Sequence, residues 1–255
     1  YETILTNLID GVMTITMNRP DRLNAWTFKM GAEMQQAIEA GNASEDVDVF
    51  IITGAGRGFC AGADIKDLFQ QQANSSESQD NESPRDWVGL VRNAKPIIAA
   101  VNGVCAGGGV ELLLSTDIRI AHPGARFGLP EVRYSIYPFG GATVKLVRQI
   151  GYVHAMDLIL TGRLIEAEEA ARLNLINRIV PAASVLDEAM SFAKTIAANS
   201  PPAVQAVKQQ ISSMMADEAA SREPLEQMLG DQVRASDAFQ EGVAAFIEKR
   251  TPNYG

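Results

Sequence analysis

Glu111 stands directly behind a run of three glycines, in Ala106-Gly107-Gly108-Gly109-Val110-Glu111, and a second carboxylate follows at Glu131 in Phe127-Gly128-Leu129-Pro130-Glu131. Glycines entering a helix bare backbone N–H groups at its positive end, where negative charge developing on an oxygen is stabilised. Two carboxylates within reach of that point can move protons. The combination describes chemistry through an oxyanion and asks for neither a metal nor a nucleophile. Taken singly, each glutamate has a plainer reading: Glu111 as an acid in a first helical turn that complements the dipole, Glu131 as an exposed acid after a proline.

A second glycine-rich segment lies upstream, Gly54-Ala55-Gly56-Arg57-Gly58-Phe59-Cys60-Ala61-Gly62-Ala63-Asp64-Ile65, after a strand ending at Thr53. The P-loop lysine and hydroxyl are missing and the dinucleotide spacing is not met, so alone it reads as a tight strand-to-helix turn. Beside Gly107 to Gly109 it gains meaning, because an oxyanion hole needs two N–H donors converging on one oxygen. The two histidines, His122 and His154, support neither a hydrolytic triad nor a zinc site, and no serine sits in a nucleophile-elbow setting. His122, before Pro123-Gly124, reads as a turn residue.

The elements that must hold these residues are legible in outline. Ile4 to Ile9 and Val12 to Met17 flank Asp10-Gly11, a dipeptide suited to a tight hairpin turn. Thr27 to Ala43 has helical spacing at Phe28, Met34 and Ile38, with Thr27 as its N-cap. Val47 to Thr53 reads as a buried strand, Pro96 to Val101 as a strand running into the glycine turn, Val110 to Leu114 as the start of a buried helix, and Ile118 to Ala121 as another strand. After Gly140 the pattern turns helical, near 141–149, 152–160, 166–173, 184–198, 203–215, 222–229 and 236–248, broken by a strand at Asn177 to Val180. Strands alternating with helices to residue 180 indicate an α/β core, and the helical end an appended packing or assembly element. Gln70 to Arg85, polar throughout, predicts a loop. Met13 and Met17 share one strand face and belong to the core.

The chain has 255 residues, enough for one substantial core without requiring a second domain. Apolar residues make up 46% of it, but every apolar run is too short to cross a bilayer. Thirty-one acidic against 22 basic residues give a net charge of −9, which opposes non-specific binding to nucleic acid or anionic lipid. Cys60 and Cys105 lack metal-ligand spacing and form no disulfide framework, as expected of a reducing compartment. The expectation is a cytoplasmic protein, or one of an organelle matrix should a targeting segment precede Tyr1.

Taken in order, these motifs resemble the crotonase superfamily, the enoyl-CoA hydratase/isomerase family. The resemblance runs from Asn18-Arg19-Pro20 and Leu23-Asn24-Ala25 to Phe246-Ile247-Glu248-Lys249-Arg250-Thr251-Pro252. It implies a spiral of β-β-α units over residues 1–195 that carries an acyl-CoA site, and a C-terminal helical trimerisation region over 196–255 within the same functional domain. It implies that Ala63 and Gly108 supply the oxyanion-hole N–H groups, and that Glu111 activates a water that Glu131 shares while supplying a proton. Hydratases of the family carry glutamate at both positions, whereas many isomerases and other members keep one or neither. The implied reaction is reversible hydration of a trans-2-enoyl-CoA, with no cofactor beyond the substrate's own coenzyme A. Arg22, Leu23, Ala25, Ala61, Asp64 and Ile65 would line the CoA site, and Lys249 would reach CoA from a neighbouring subunit of a trimer or dimer of trimers. Solvated surface charge remains the other reading of Arg22 and Lys249.

The sequence departs from the family where hydratases usually have a glycine four residues after the second glutamate. Ser135 stands there, followed by Tyr137-Pro138-Phe139-Gly140-Gly141. Serine disfavours backbone angles that glycine reaches, so the turn behind Glu131 is in question. Tyr134 and Tyr137 could turn hydroxyls into the pocket or serve as core and rim. Competing readings are double-bond isomerisation or a carnitinyl-CoA-type dehydration through the same enolate, and, from another class, RNA binding. The last calls for a Lys-rich surface helix, while Thr27 to Ala43 carries Glu33 and Glu39 beside Lys29.

Overall fold

The computed structural model describes residues 1–64 and 90–255. The expected loop at Gln70 to Arg85 therefore lies outside the described residues, as does Ile65. The hairpin forms as read, β1 (Ile4–Ile9) pairing antiparallel with β2 (Val12–Met17) around Asp10 and Gly11. Helix α1 (Phe28–Ala43) follows, its first turn capped by the Thr27 hydroxyl, which accepts the Met30 N–H at 3.1 Å.

From there the chain repeatedly lays one strand in a larger sheet and the next in a smaller one. These pairs are β3 (Val49–Gly54) with β4 (Gly58–Cys60), β5 (Ile97–Val101) with β6 (Val104–Ala106), and β7 (Ile118–Ala121) with β8 (Arg126–Gly128). Parallel neighbours must come from successive turns of the chain, because a tight hairpin joins only antiparallel strands. Accordingly β3, β5 and β7 pair in parallel, as do β4, β6 and β8. The larger sheet runs β1-β2-β3-β5-β7-β10 and the smaller β4-β6-β8-β9, with β9 at Ile165–Glu166 and β10 at Arg178–Ile179. This is the expected α/β spiral.

Period-two alternation divides the larger sheet's side chains between two cores. Val12, Val49, Ile51, Ile98, Ala100 and Ile120 face Val185, Ala189 and Ala193 of a covering helix, Val185–Ala197. Met17, Phe50, Ile52, Ala99 and Val101 face the larger core, and Met13 packs at its margin. Helix α2 (Gly108–Leu113) runs through that interior, buried at every position.

The C-terminal region is helical, with α3 (Ala142–Ile150), α4 (Tyr152–Thr161), α5 (Ala167–Arg172), α6 (Val185–Ala197), α7 (Pro201–Arg234) and α8 (Asp237–Glu248). One correction concerns α7. The segments expected at 203–215 and 222–229 are a single 34-residue helix that continues through Pro224. Lys208, Ser212, Ala216, Ala219, Glu226 and Gly230 are its buried positions, so packing along one stripe outweighs the hydrogen bond that Pro224 cannot make. Among the described residues, no helix is long and apolar enough to cross a membrane.

Candidate active site

The two glycine-rich segments meet where α2 begins. Ala63 forms an isolated parallel bridge with Trp26, closed by Trp26 N–H to the Gly62 carbonyl at 2.8 Å and Asp64 N–H to the Trp26 carbonyl at 2.8 Å. In such a bridge the flanking peptides make the bonds, and the Ala63 N–H is left turned to the other side. Gly108 lies on that side: a Cβ placed on it would be 3.6 Å from the Ala63 nitrogen and 3.7 Å from Glu111 Oε2. As the first residue of α2, Gly108 also has an N–H without an intrahelical acceptor, and Gly107 turns the chain into the helix at φ 53°. Two donors without a backbone acceptor among the described residues thus stand side by side at a helix N-terminus.

The carboxylates occupy the same corner. Glu111 is 3% exposed, and its Oε1 accepts the Phe139 N–H at 3.2 Å. Behind it the fully buried Lys145 of α3 donates to the Glu111 carbonyl at 3.2 Å and to the Ser115 hydroxyl at 2.8 Å, placing a cation at the C-terminal end of α2. Glu131 is the second residue of the 3-10 turn Pro130–Tyr134, and a Cβ on Gly107 would come within 2.9 Å of its Oε1. Its Oε2 is buried and, among the described residues, has no hydrogen-bond partner. Burial first, and the Glu111 charge second, push the Glu131 carboxyl up to about 8, which keeps it protonated at neutral pH. A third carboxylate, Glu226 of α7, is raised to about 7, mainly by burial, with the Gly141 N–H opposing and the Glu111 charge adding.

Residues 61–63, 107, 108, 111 and 131 line one cavity. The rest of its lining is largely apolar and aromatic and includes Tyr134, Tyr137 and Phe139 and Val243 and Phe246 of α8, with Arg234 at the end of α7 as a lining cation. Such a cavity can hold an apolar acyl group with its carbonyl oxygen against two N–H donors and two carboxyls beside its neighbouring carbons. Ser135 closes the turn behind Glu131 in the left-handed region, φ 52° and ψ 41°, and the Ile136 N–H returns to the Glu131 carbonyl at 3.0 Å. Serine therefore adopts the conformation for which glycine is the default.

The enoyl-CoA hydratase/isomerase family model matches residues 8–255. The chain belongs to that family. Among its relatives is the protein named enoyl-CoA hydratase EchA19 of Mycobacterium tuberculosis, 41% identical over 247 residues, which covers 95% of this chain and 92% of that one. A carnitinyl-CoA hydratase from Mycobacterium avium is 34% identical and superposes with a TM-score of 0.86, covering 100% of this chain and 98% of that structure. An enoyl-CoA hydratase/isomerase from Pseudoalteromonas atlantica, 28% identical, reaches a TM-score of 0.90 over 99% of this chain and 100% of that structure.

Of the positions that the family resemblance assigns to CoA, Ala61 alone shares the cavity wall with the oxyanion segments, and Ile65 lies outside the described residues. Leu23, Ala25 and Asp64 stand behind that wall. The Leu23 carbonyl accepts the Ala61 N–H at 3.0 Å, and Arg19 joins the Ala25 carbonyl at 2.5 Å to the Asp64 carboxylate at 2.9 Å. Arg22 is exposed on a 3-10 turn, and Lys249 is exposed at the C-cap of α8. Several residues of the site escape a reading by motif. Fully buried Asn24 accepts the Arg19 N–H and donates to the Ala55 and Gly58 carbonyls, which ties the two halves of the first segment together. Asn24, Arg19 and Phe139 lay inside the quoted motifs without a role, whereas Lys145 and Glu226 carried no local signal.

Proposed function

We propose that this protein is an enoyl-CoA hydratase that reversibly adds water to a trans-2-enoyl-CoA to give a 3-hydroxyacyl-CoA. The observation that carries the reading is the pairing of Glu111 and Glu131 beside the N–H groups of Ala63 and Gly108. The thioester oxygen lies between the two donors. Glu111, steadied at Oε1 by Phe139, holds a water at its other oxygen and takes its proton as the water oxygen bonds to Cβ. The Cα=Cβ electron pair moves onto the thioester oxygen, where the two N–H groups stabilise the enolate. The pair returns as the protonated Glu131 delivers its proton to Cα, and proton exchange between the two carboxyls restores the starting state. Acid and base on one side of the substrate make the addition syn. No cofactor beyond coenzyme A enters this scheme.

Arg22, Leu23, Ala25, Ala61, Asp64 and Ile65 are proposed to hold the CoA moiety, with Lys249 reaching it from a neighbouring subunit of a trimer or dimer of trimers. The buried cysteines, free of disulfides, and the acidic net charge agree with a cytoplasmic or matrix setting. Glu111→Gln and Glu131→Gln should each cut turnover of crotonyl-CoA by about a hundredfold or more while acyl-CoA still binds. Near-normal rates in either variant would sink the assignment. The likeness to a carnitinyl-CoA hydratase favours, as a second reading, a specialised 3-hydroxyacyl-CoA dehydration at the same site. Persistence of the conjugated enoyl absorbance with crotonyl-CoA, together with turnover of a branched or 3-enoyl substrate, would select that reading or isomerisation.

A further inference from the structure

Helix α7 touches the segment that carries Phe139 at three points spaced one turn apart. Both Glu226 carboxylate oxygens accept the Gly141 N–H, at 3.3 and 3.1 Å, from a side chain that is 9% exposed. One turn on, Gly230 meets the Phe139 ring: a Cβ there would stand 2.1 Å from its Cζ, so the ring packs directly on the helix backbone. A further turn on, the Arg234 guanidinium carbon lies 4.9 Å from the same ring's centroid. Residues four apart share a helix face, so these contacts form one continuous grip.

The gripped segment is the one that holds Glu111. The Phe139 N–H points to Glu111 Oε1, and two residues later the Gly141 N–H points to Glu226. Gly140 and Gly141 both take positive φ, 70° and 68°, which lets successive peptides aim at two different carboxylates. We propose that Glu226 is a positioning residue for the reaction: by fixing Gly141 from α7, it fixes the Phe139 N–H and thereby the orientation of Glu111. The inference rests on the assignment of Glu111 as the water-handling group. A purely structural alternative exists, because Gly141 is also the N-cap of α3 and an acid there suits the helix dipole. That role would alter stability and leave the chemical step alone.

The test pairs kinetics on crotonyl-CoA with amide hydrogen exchange of the peptide spanning residues 137–142. Glu226→Ala should lower kcat by about tenfold to a hundredfold, the cost of a misplaced catalytic group, with KM within about twofold, and should speed exchange at residues 139–141. Glu226→Gln keeps an oxygen that can accept from Gly141 and should recover kcat to within about threefold of the parent. Unchanged kcat in the folded alanine variant, or a loss seen only in the unfolding midpoint, overturns the proposal. Should Glu226→Ala fail to fold, Glu226→Asp withdraws the carboxylate by one methylene, and an unchanged kcat there is equally fatal. If the parent protein hydrates no enoyl-CoA, the hydratase reading falls by itself. The exchange data then decide the grip, and unaccelerated exchange in the variant refutes it.

Discussion

Ser135 carries a cost that glycine would not. A non-glycine residue in the left-handed region loses about 1–2 kcal/mol, and glycine gives back about 0.4–1 kcal/mol through the freedom of its unfolded chain. Ser135→Gly should therefore stabilise the protein by about 1 kcal/mol, read as a rise in the urea midpoint at unchanged slope; a fall would mean that the serine hydroxyl has a role of its own. Glu131 gives a prediction in pH. Its carboxyl is raised from the ordinary 4.5 to about 8, so the folded state binds this proton more tightly than the unfolded chain. Its contribution to stability is whole below about 4.5 and is lost as pH climbs through about 8. With Glu131 in the proposed acid role, only its protonated form supplies the Cα proton, and kcat/KM for hydration should fall tenfold per pH unit above about 8. A profile flat to pH 10 would remove Glu131 from the acid role. Both glutamates could be singled out because a glycine run and a proline mark their neighbourhoods, but spacing alone left each with a plainer reading, and only the ordered motifs of the family resemblance gave them roles. Glu226 could not be, because its partner Gly141 lies 85 residues away and nothing local distinguishes it from other helical acids.

The elements most clearly written in the sequence are those with a local cause. Asp10-Gly11 dictates the hairpin, the Thr27 hydroxyl starts α1, and the unbroken apolar runs of β3 and β5 are buried on both faces. The short strands β4, β6 and β8, three residues each, escaped because alternation cannot be seen over so few positions and only neighbours from distant parts of the chain define them. They matter because β4 delivers Ala63 and β6 delivers Gly108 to the same place. The contact that joins them is Gly109, where a Cβ would sit 2.3 Å from the Cys60 carbonyl oxygen. That oxygen belongs to backbone and cannot swing aside. Gly109→Ala should then force α2 away from β4, lowering stability by about 1–3 kcal/mol and hydration by more than the lost fold accounts for, since the two N–H donors separate. Equal affinity of the variant and the parent for an acyl-CoA, with normal turnover, would show that the donors tolerate the shift.

The C-terminal helices can be read as assembly elements from their position after the α/β core, yet in the fold they also build the site. Helix α7 grips residues 139–141, and α8 supplies Val243 and Phe246 to the lining of the cavity that holds Glu131. Phe246 meets Tyr134 edge to face at 5.1 Å, and the Tyr254 hydroxyl donates to the Arg133 carbonyl at 3.0 Å, so the chain's last turns brace the 3-10 turn that carries Glu131. The motif around Phe246 was visible, but its side of the cavity was not, because a helical apolar stripe does not say which surface it covers. Phe246→Ala distinguishes the two roles. An aromatic ring removed from an acyl cavity should raise KM for medium-chain enoyl-CoA by about tenfold, with a smaller effect on crotonyl-CoA, whose short chain reaches less of that lining. Sedimentation should report the same particle mass as the parent. A variant that changes mass while each subunit keeps its KM for every chain length would assign Phe246 to contacts between copies, and its part of the cavity lining would then have to be completed by other residues of α8.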